Sequence, residues 1–512
     1  MLPTSPGGST FTVPLESEQA IKRLVIDIAS AIEPGDLITL SGDLGAGKTT
    51  FARALIRYLA GDETIAVPSP TFTLMQSYTL PRFPVVHADL YRLSGSSELA
   101  ELGFDDLAES SVILLEWPDR AAGFLPPDRI DIAFTLAPQH GLEYRNVRVT
   151  GYGKCAIRTE RIGRLRRFLQ RTGFAGAERG RMQGDASSRS YERLTFDGRS
   201  SILMNSPRRP DGPPVRDDKP YRAVAHLAED VKPFVARAAA LRERGFSTPD
   251  IYDSDLDHGF LILEDLGHEP IVQGDPPQPI EERYGVAVEA LLSLHAYVLP
   301  QTVPVTEGID YTLPHYDMDA FMIEAELLLD WYVPRFGVAL PDNVRQTFIT
   351  LWRDTLSHVI AAETTWVLRD YHSPNILWLR ERAGVAKIGL LDFQDAVIGP
   401  TAYDLASLLQ DARVDIPEDM ELALLGRYAR ARRGDDPAFD TGAFTRIYAA
   451  VAAQRATKIL GIFARLDRRD GKPQYLRHIP RVWRYLQRSL AHPSMAQINA
   501  WYQHHVPKPP GL

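Results

Sequence analysis

The chain has 512 residues, 44% of them apolar and 24% charged, with a net charge of −9. That length exceeds what one hydrophobic core fills, so two or three domains are expected, and no apolar run approaches a bilayer span. The acidic balance argues against nonspecific nucleic-acid binding by the whole chain, and the single Cys155 excludes an intrachain disulfide. With an N-terminal stretch, MLPTSPGGSTFTVPLES, that lacks the charged and apolar regions of a secretory signal, these features point to a cytoplasmic setting and no membrane partner.

In chain order, residues 16–31 carry Ile21, Leu24, Val25 and Ile28 at helical spacing and are stopped by Pro34-Gly35. A strand over 36–40 leads into Gly42-Asp-Leu-Gly45-Ala-Gly47-Lys48-Thr49, and a helix over 49–59 follows. This is the strand, glycine-rich loop and helix order that a phosphate cradle requires: glycines let backbone N–H groups curl around phosphate, Lys48 reaches the terminal phosphates, and Thr49 offers a hydroxyl to Mg²⁺. Strands over 85–88, 112–115, 130–136 and 144–150 complete an α/β pattern. The strand over 112–115 delivers Glu116 as the metal-side carboxylate. Asp89, in HADLYRL, either positions the attacking water or the metal shell, or caps a turn. Thr71 lies in the Pro-punctuated segment PSPTFTL, a switch candidate.

Together GDLGAGKTT, SPTFTL, HADLYRL and EWP resemble the TsaE family, the small ATPase of bacterial tRNA threonylcarbamoyladenosine synthesis, over residues 10–150. The resemblance implies an α/β P-loop NTPase fold and an ATP and Mg²⁺ site of Lys48, Thr49, Thr71, Asp89, Glu116 and Trp117. It also implies TsaD and TsaB-like partners, with tRNA engaged only indirectly.

Gly151-Tyr-Gly153 reads as the end of this domain, and the basic amphipathic pattern over 160–171 as the helix that opens the next, which sets a boundary near residue 157. The Pro-rich stretch 206–214 is a loop. Helices dominate from residue 281, interrupted by a strand-rich island over 366–394.

That island holds a second phosphoryl-transfer apparatus. Arg369-Asp370-Tyr-His-Ser-Pro-Asn375 has the kinase catalytic-loop spacing, in which Asp370 accepts the substrate proton and Asn375 turns back to a metal; a strand then ends in Asp392, a DFG-type metal carboxylate. Asp404 reads as a brace of that loop, Asp395 as a supporting or substrate contact, and His372 more readily as a core histidine than a catalytic one. Gly184 to Leu194, with Ser188 and Arg189, is the nucleotide-loop candidate, and Phe260 to Gly267, with Glu264 and Leu266, the adenine hinge.

The stretches GDASSRSYERL, LRDYHSPN, LLDFQDA and RATKILGIFARLDRRDGKPQYL resemble the aminoglycoside-phosphotransferase-like kinases, most closely the AmgK branch of amino-sugar kinases, over residues 158–505. The resemblance implies an α+β protein-kinase-like, two-lobed domain over 158–512, with an N-lobe to about residue 267 and a C-lobe beyond. It also implies ATP-dependent phosphorylation of N-acetylmuramate or N-acetylglucosamine at the anomeric hydroxyl. Two departures stand out: Met204 and Asn205 occupy the place of the usual strand lysine, where Arg189 is the substitute on offer, and Leu368 replaces the histidine of H-x-D. An aminoglycoside or choline-type kinase, or a pseudokinase scaffold for the ATPase, are the alternatives.

The acceptor's charge is constrained by composition. Residues 421–512 contain sixteen Lys or Arg against six Asp or Glu. In the resembled kinase class these helices help form the acceptor pocket, which implies that a polycationic acceptor is repelled there and that the carboxylate of a sugar acid could meet Arg455, Lys458 or Arg465; the alternative is that these cations solvate helix faces or pair with the acidic N-terminal domain.

Overall fold

The computed structural model describes residues 8–92, 110–121, 123, 125–141, 144–182, 189–208 and 212–511. The chain folds as two compact units, Met1–Gln183 with Tyr191–Ser200, and Gly184–Ser190 with Ser201–Leu512. Among the described residues, no helix is long and apolar enough to cross a membrane.

The first unit is built on a mixed sheet of β1 (Ser9–Leu15), β2 (Leu37–Ser41), β3 (Met75–Tyr78), β4 (Val85–Asp89), β5 (Val112–Glu116), β6 (Arg129–Leu136) and β7 (Arg145–Tyr152), in the order β1-β7-β6-β2-β5-β4-β3. The central run β6-β2-β5-β4 is parallel, and β1, β7 and β3 pair antiparallel to their neighbours. Central strands such as VILLE are buried along their whole length, as parallel strands covered on both faces must be. Helix α1 (Glu18–Ala31), capped by the Ser17 side chain, and α2 (Lys48–Ala60) bury Leu24, Ile28, Phe51 and Leu55 in the core.

Helix α3 (Cys155–Arg171) packs on β1 and β7 and sends Cys155 and Ile162 into the same core. Arg158 anchors it, donating to Asp36 at 2.6 Å and 2.7 Å and to the Ala31 carbonyl at 2.6 Å. The helix expected to open the second domain therefore belongs to the first compact unit, as does the hairpin of β8 (Glu178–Arg181) with β9 (Ser190–Phe196). The boundary expected near residue 157 falls inside this unit.

In the second unit β10 (Arg199–Asn205), β11 (Ile251–Asp255) and β12 (Phe260–Glu264) pair antiparallel with β12 in the middle, and α4 (Lys232–Glu243) lies between β10 and β11 in sequence. The remainder is mostly helical: α5 (Glu281–His295), α6 (Met318–Ala325), α7 (Asp342–Ile360), then α8 (Ala402–Leu409), α9 (Glu418–Asp435) and the long α10 (Thr441–Asp470). Between α7 and α8, β13 (Thr364–Val367) pairs with β16 (Val397–Pro400), and β14 (Ile376–Trp378) with β15 (Ile388–Leu390). The catalytic-loop sequence joins β13 to β14, and Asp392 follows β15, so the two antiparallel pairs bring both segments together.

Candidate active sites

In the first unit the loop between β2 and α2 forms the cradle. Gly42 (φ 134) leaves β2 where a Cβ would stand 2.4 Å from the Phe134 carbonyl oxygen, so no other residue fits; Gly45 and Gly47 also have positive φ. Lys48 Nζ donates to the carbonyls of Gly42 at 2.7 Å and Asp43 at 2.9 Å, and lies 3.9 Å from the Trp117 ring centroid. Burial pulls the Lys48 ammonium below its usual pKa, while Glu116, Asp89 and Asp43 act in the other direction. Trp117 holds φ 58, a left-handed backbone that costs a bulky side chain about 1–3 kcal/mol and that clusters at functional sites.

Two carboxylates end adjacent parallel strands in register, Asp89 on β4 and Glu116 on β5. Thr49 Oγ1 donates to Glu116 Oε2 at 2.9 Å, and His87 Nε2 lies 2.9 Å from Glu116 Oε1. Asp89 Oδ2 accepts from Thr71 at 2.8 Å and Ser69 at 3.1 Å, while its Oδ1 accepts from the Tyr91 N–H at 2.9 Å. Of the roles offered for Asp89, the turn cap after β4 is present, and the same carboxylate also tethers the Ser69–Thr71 segment. His87 escaped the sequence reading, although it sits two residues before Asp89 and so shares its strand face. The oxygen donors of Thr49 and Glu116 suit a hard cation; Mg²⁺ takes few protein ligands and completes its shell with phosphate and water, and no group of three or more His, Cys, Asp or Glu forms a closed cage among the described residues.

In the second unit Asp370, Asn375 and Asp392 converge on a cleft of about 220 Å³ that Arg455 and Lys458 of α10 also line. Asn375 Nδ2 donates to the Asp370 carbonyl at 3.0 Å, and the Leu391 N–H to the Asn375 carbonyl at 2.9 Å, locking the catalytic loop to the strand that delivers Asp392. Arg369 and Asp392 both hold left-handed φ, 69 and 56. Asp404 is the brace the sequence suggested, accepting the N–H groups of Leu368 at 2.6 Å and Arg369 at 2.9 Å; burial pushes its carboxyl up to about 7. Asp395 accepts the Ala228 N–H at 2.6 Å, a structural contact.

Burial opposes ionisation of Asp370, yet His372, Lys458, Arg455 and Arg369 together hold its carboxyl below the usual value, so it is an anion at neutral pH. Its side chain remains 40% exposed, open to a substrate. His372 is pushed down to about 4 by burial and stands 3.8 Å from Asp370, which fits the core-histidine reading. Burial raises the Asp392 carboxyl; Arg189 counters it from 3.1 Å, and Gln394 donates to it at 2.8 Å. The carboxylate of Asp392 and the amide oxygen of Asn375 again form an oxygen set suited to Mg²⁺.

Arg189 therefore reaches the Asp392 carboxylate, while Met204 on β10 is buried and offers no charge. Ser188 and the rest of residues 183–188 lie outside the described residues. Glu264 ends β12 with its carboxylate accepting from Arg382 at 2.6 Å and from the Asp250 N–H at 3.2 Å; with Leu266 it lines a groove of about 670 Å³. Of the three cations offered to an acidic acceptor, Arg455 and Lys458 are in the cleft, whereas Arg465 lies 5.1 Å from the Tyr221 ring and does not line it. Lys458 is paired with buried Glu324 at 2.9 Å, and Arg369 grips the same carboxylate. Arg455 is 6% exposed and has no ion-pair partner among the described residues. No local pattern marks Arg237, buried on α4, whose guanidinium donates to the carbonyls of Gln394 and Ala396 and fixes the segment after Asp392.

Comparison with known proteins matches residues 15–145 to the family described as threonylcarbamoyl adenosine biosynthesis protein TsaE, and residues 180–444 to APH, the phosphotransferase enzyme family. The N-acetylmuramate/N-acetylglucosamine kinase of Caulobacter vibrioides is 37% identical over 365 residues, 69% of this chain and 98% of the relative. The protein of that name from Pseudomonas aeruginosa is 33% identical over 61% of this chain and 84% of its own. The tRNA threonylcarbamoyladenosine biosynthesis protein TsaE of Rickettsia conorii is 42% identical over 118 residues, 23% of this chain and 67% of the relative.

Proposed function

We propose two separate reactions from one premise: the chain belongs to the TsaE family through its N-terminal region and to the APH phosphotransferase enzyme family through its C-terminal region. The C-terminal region phosphorylates the anomeric hydroxyl of an amino sugar, N-acetylmuramate or N-acetylglucosamine, with ATP as donor. The observation that carries this reading is the convergence of Asp370, Asn375 and Asp392 on one cleft with Arg455. The sugar hydroxyl attacks the γ-phosphorus of ATP, forming the new O–P bond as the bond to the β-phosphate oxygen breaks and ADP leaves. Ionised Asp370 takes the hydroxyl proton and orients the nucleophile. Asp392 and Asn375 would hold Mg²⁺, which neutralises charge on the phosphates. Arg189 adds positive charge beside Asp392, and Arg455 receives the carboxylate of N-acetylmuramate.

Incubating the full chain with labelled ATP and N-acetylmuramate, N-acetylglucosamine, an aminoglycoside or choline tests this directly. Label in an amino sugar 1-phosphate, lost in Asp370→Asn, supports it; transfer only to the aminoglycoside or choline replaces the acceptor. Uncharged Met204 at the lysine position favours a second reading, a pseudokinase scaffold, and absence of transfer to any acceptor would establish it.

The N-terminal region hydrolyses ATP in support of a TsaD–TsaB pair, acting on tRNA only through those partners, in the cytoplasm. Lys48, the Gly42 to Thr49 backbone and Trp117 hold the nucleotide, Thr49 and Glu116 would hold Mg²⁺, and Asp89 positions water or the Ser69–Thr71 segment. Co-purification of the full chain with TsaD and TsaB in the presence of ATP is the test, and failure to associate would remove the tRNA role. We also place the functional division between the two regions near residue 157, inside the first compact unit.

A further inference from the structure

A cavity of about 500 Å³ in the first unit, between β1, α1 and α3, shares no lining residue with the phosphate-loop site. Four arginines line it, Arg23 from α1, Arg166 and Arg167 from α3 and Arg179 from β8, with Glu16 as the carboxylate in the lining. Two of them are committed to the wall. Arg166 and Arg179 both donate to Asp27, a buried residue of α1, and Arg179 also grips Glu192 at 2.6 Å and 3.0 Å. Arg23 and Arg167 have neither an ion pair nor a hydrogen-bond partner among the described residues.

The electrostatics leave this cluster short of negative charge. Four guanidinium groups face Asp27, Glu192 and Glu16, and the two buried carboxylates are held by Arg166 and Arg179. Arg23 is held below its usual pKa by burial and by repulsion from Arg166 and Arg179, against the opposing pull of Asp27 and Glu16. An isolated solvated face would let these side chains spread; here the ion pairs to Asp27 fix Arg166 and Arg179 in place beside Arg23. Guanidinium groups bind phosphate oxygens through paired N–H donors, and a cavity of this size falls in the range of small-molecule sites, about 300–1,000 Å³.

We propose that this cavity binds a small phosphate ester, with Arg23 and Arg167 as the phosphate ligands and Arg166 and Arg179 as the fixed positive wall. The site is independent of the reactions assigned to the two ATP sites. The phosphate is carried on a sugar or on a nucleoside, and Ser17 and Gln170 are the polar groups in the lining available to the rest of the molecule.

The test is arginine footprinting of the full chain with phenylglyoxal, read residue by residue by mass spectrometry. Glucose 1-phosphate or ADP should slow modification of Arg23 and Arg167 several-fold, and unphosphorylated glucose should not; whichever protects identifies the carrier of the phosphate. Arg23→Gln/Arg167→Gln, with its circular dichroism unchanged, should lose the protection that either ligand gives to Arg166. Equal slowing by potassium chloride at matched ionic strength, protection by RNA only, or no protection by either ester would each overturn the proposal.

Discussion

The two ATP sites assemble their carboxylates by opposite means. In the first unit Glu116 and Asp89 end neighbouring parallel strands in register, and the phosphate loop between β2 and α2 leads into Thr49, which bonds Glu116, while Lys48 folds back onto the loop's own carbonyls. In the second unit Asp370 and Asp392 stand on loops that two antiparallel pairs bring together, and the cations come from distant segments, Arg189 ahead of β9 and Arg455 and Lys458 from α10. The first arrangement makes the phosphate site a local property of the chain. The second makes it a property of the fold, so it depends on braces such as Asp404 and Arg237 that touch neither substrate.

The largest expected effect tests whether the two sites are separate. Lys48→Ala should lower ATP hydrolysis in the absence of sugar by roughly 10²–10³-fold, and leave sugar phosphorylation unchanged. Asp370→Asn should do the reverse, lowering transfer by roughly 10²–10⁴-fold while hydrolysis continues. Loss of both activities in either variant would break the comparison.

A smaller effect concerns what holds the second unit together. Burial pushes His295 down to about 3, with its ring 2.7 Å from the Tyr428 hydroxyl. Below about pH 6.5 the unfolded chain binds a proton there that the folded chain refuses, so this residue's contribution is lost progressively as pH falls, by up to about 1.4 kcal/mol per pH unit. Asp404 acts with the opposite sign. Its folded carboxyl keeps its proton to about 7 while the unfolded one ionises near the ordinary aspartate value of 3.8, so its contribution is lost as pH rises through that interval. The two offset each other between the ordinary aspartate and histidine values. His295→Gln should therefore unmask Asp404: urea unfolding of the variant should show stability rising on acidification from pH 6.5 to 4.5, and an unchanged profile would show that His295 does not carry the acid sensitivity.

Next in size is the missing strand lysine. If Arg189 supplies the phosphate contact that Met204 cannot, Arg189→Ala should raise KM for ATP in sugar phosphorylation by roughly 10–100-fold, the loss of a charged hydrogen bond. Arg189→Lys should recover part of it. Equal KM values in all three proteins would reassign the role.

The same contrast explains what the sequence revealed. GDLGAGKTT, HADLYRL and EWP each carry their residues on one strand or turn, and the parallel strands were legible as apolar runs, so the first site could be assembled from local pattern. β1 was missed because Pro14 breaks the strand signal, a residue that an edge strand tolerates. Asp370, Asn375 and Asp392 were legible because their spacing is itself the motif. Arg237, Glu324 and Asp411 were not: each acts through a tertiary contact, to the Gln394 carbonyl, to Arg369 and Lys458, and to the Ser373 N–H, and nothing local distinguishes them from ordinary charged residues in helices and turns. The same holds for α3, whose amphipathic pattern announces a helix but not the unit whose core it completes.

The smallest predicted effect is one of selectivity, and it separates the two cations of the acceptor cleft. Lys458 is neutralised by Glu324 at 2.9 Å, whereas Arg455 is buried beside Asp370 and forms no salt bridge among the described residues. An acceptor carboxylate should therefore be read by Arg455, through hydrogen bonds between charged groups that are net favourable by about 1.5–3 kcal/mol. N-acetylmuramate carries that group and N-acetylglucosamine does not. In Arg455→Gln, kcat/KM for N-acetylmuramate should fall roughly tenfold or more relative to N-acetylglucosamine, with the change in KM rather than kcat, because the contact is made in the ground state and kept in the transition state. Equal losses for both sugars would instead assign Arg455 to holding the Asp370 anion, a role both reactions share.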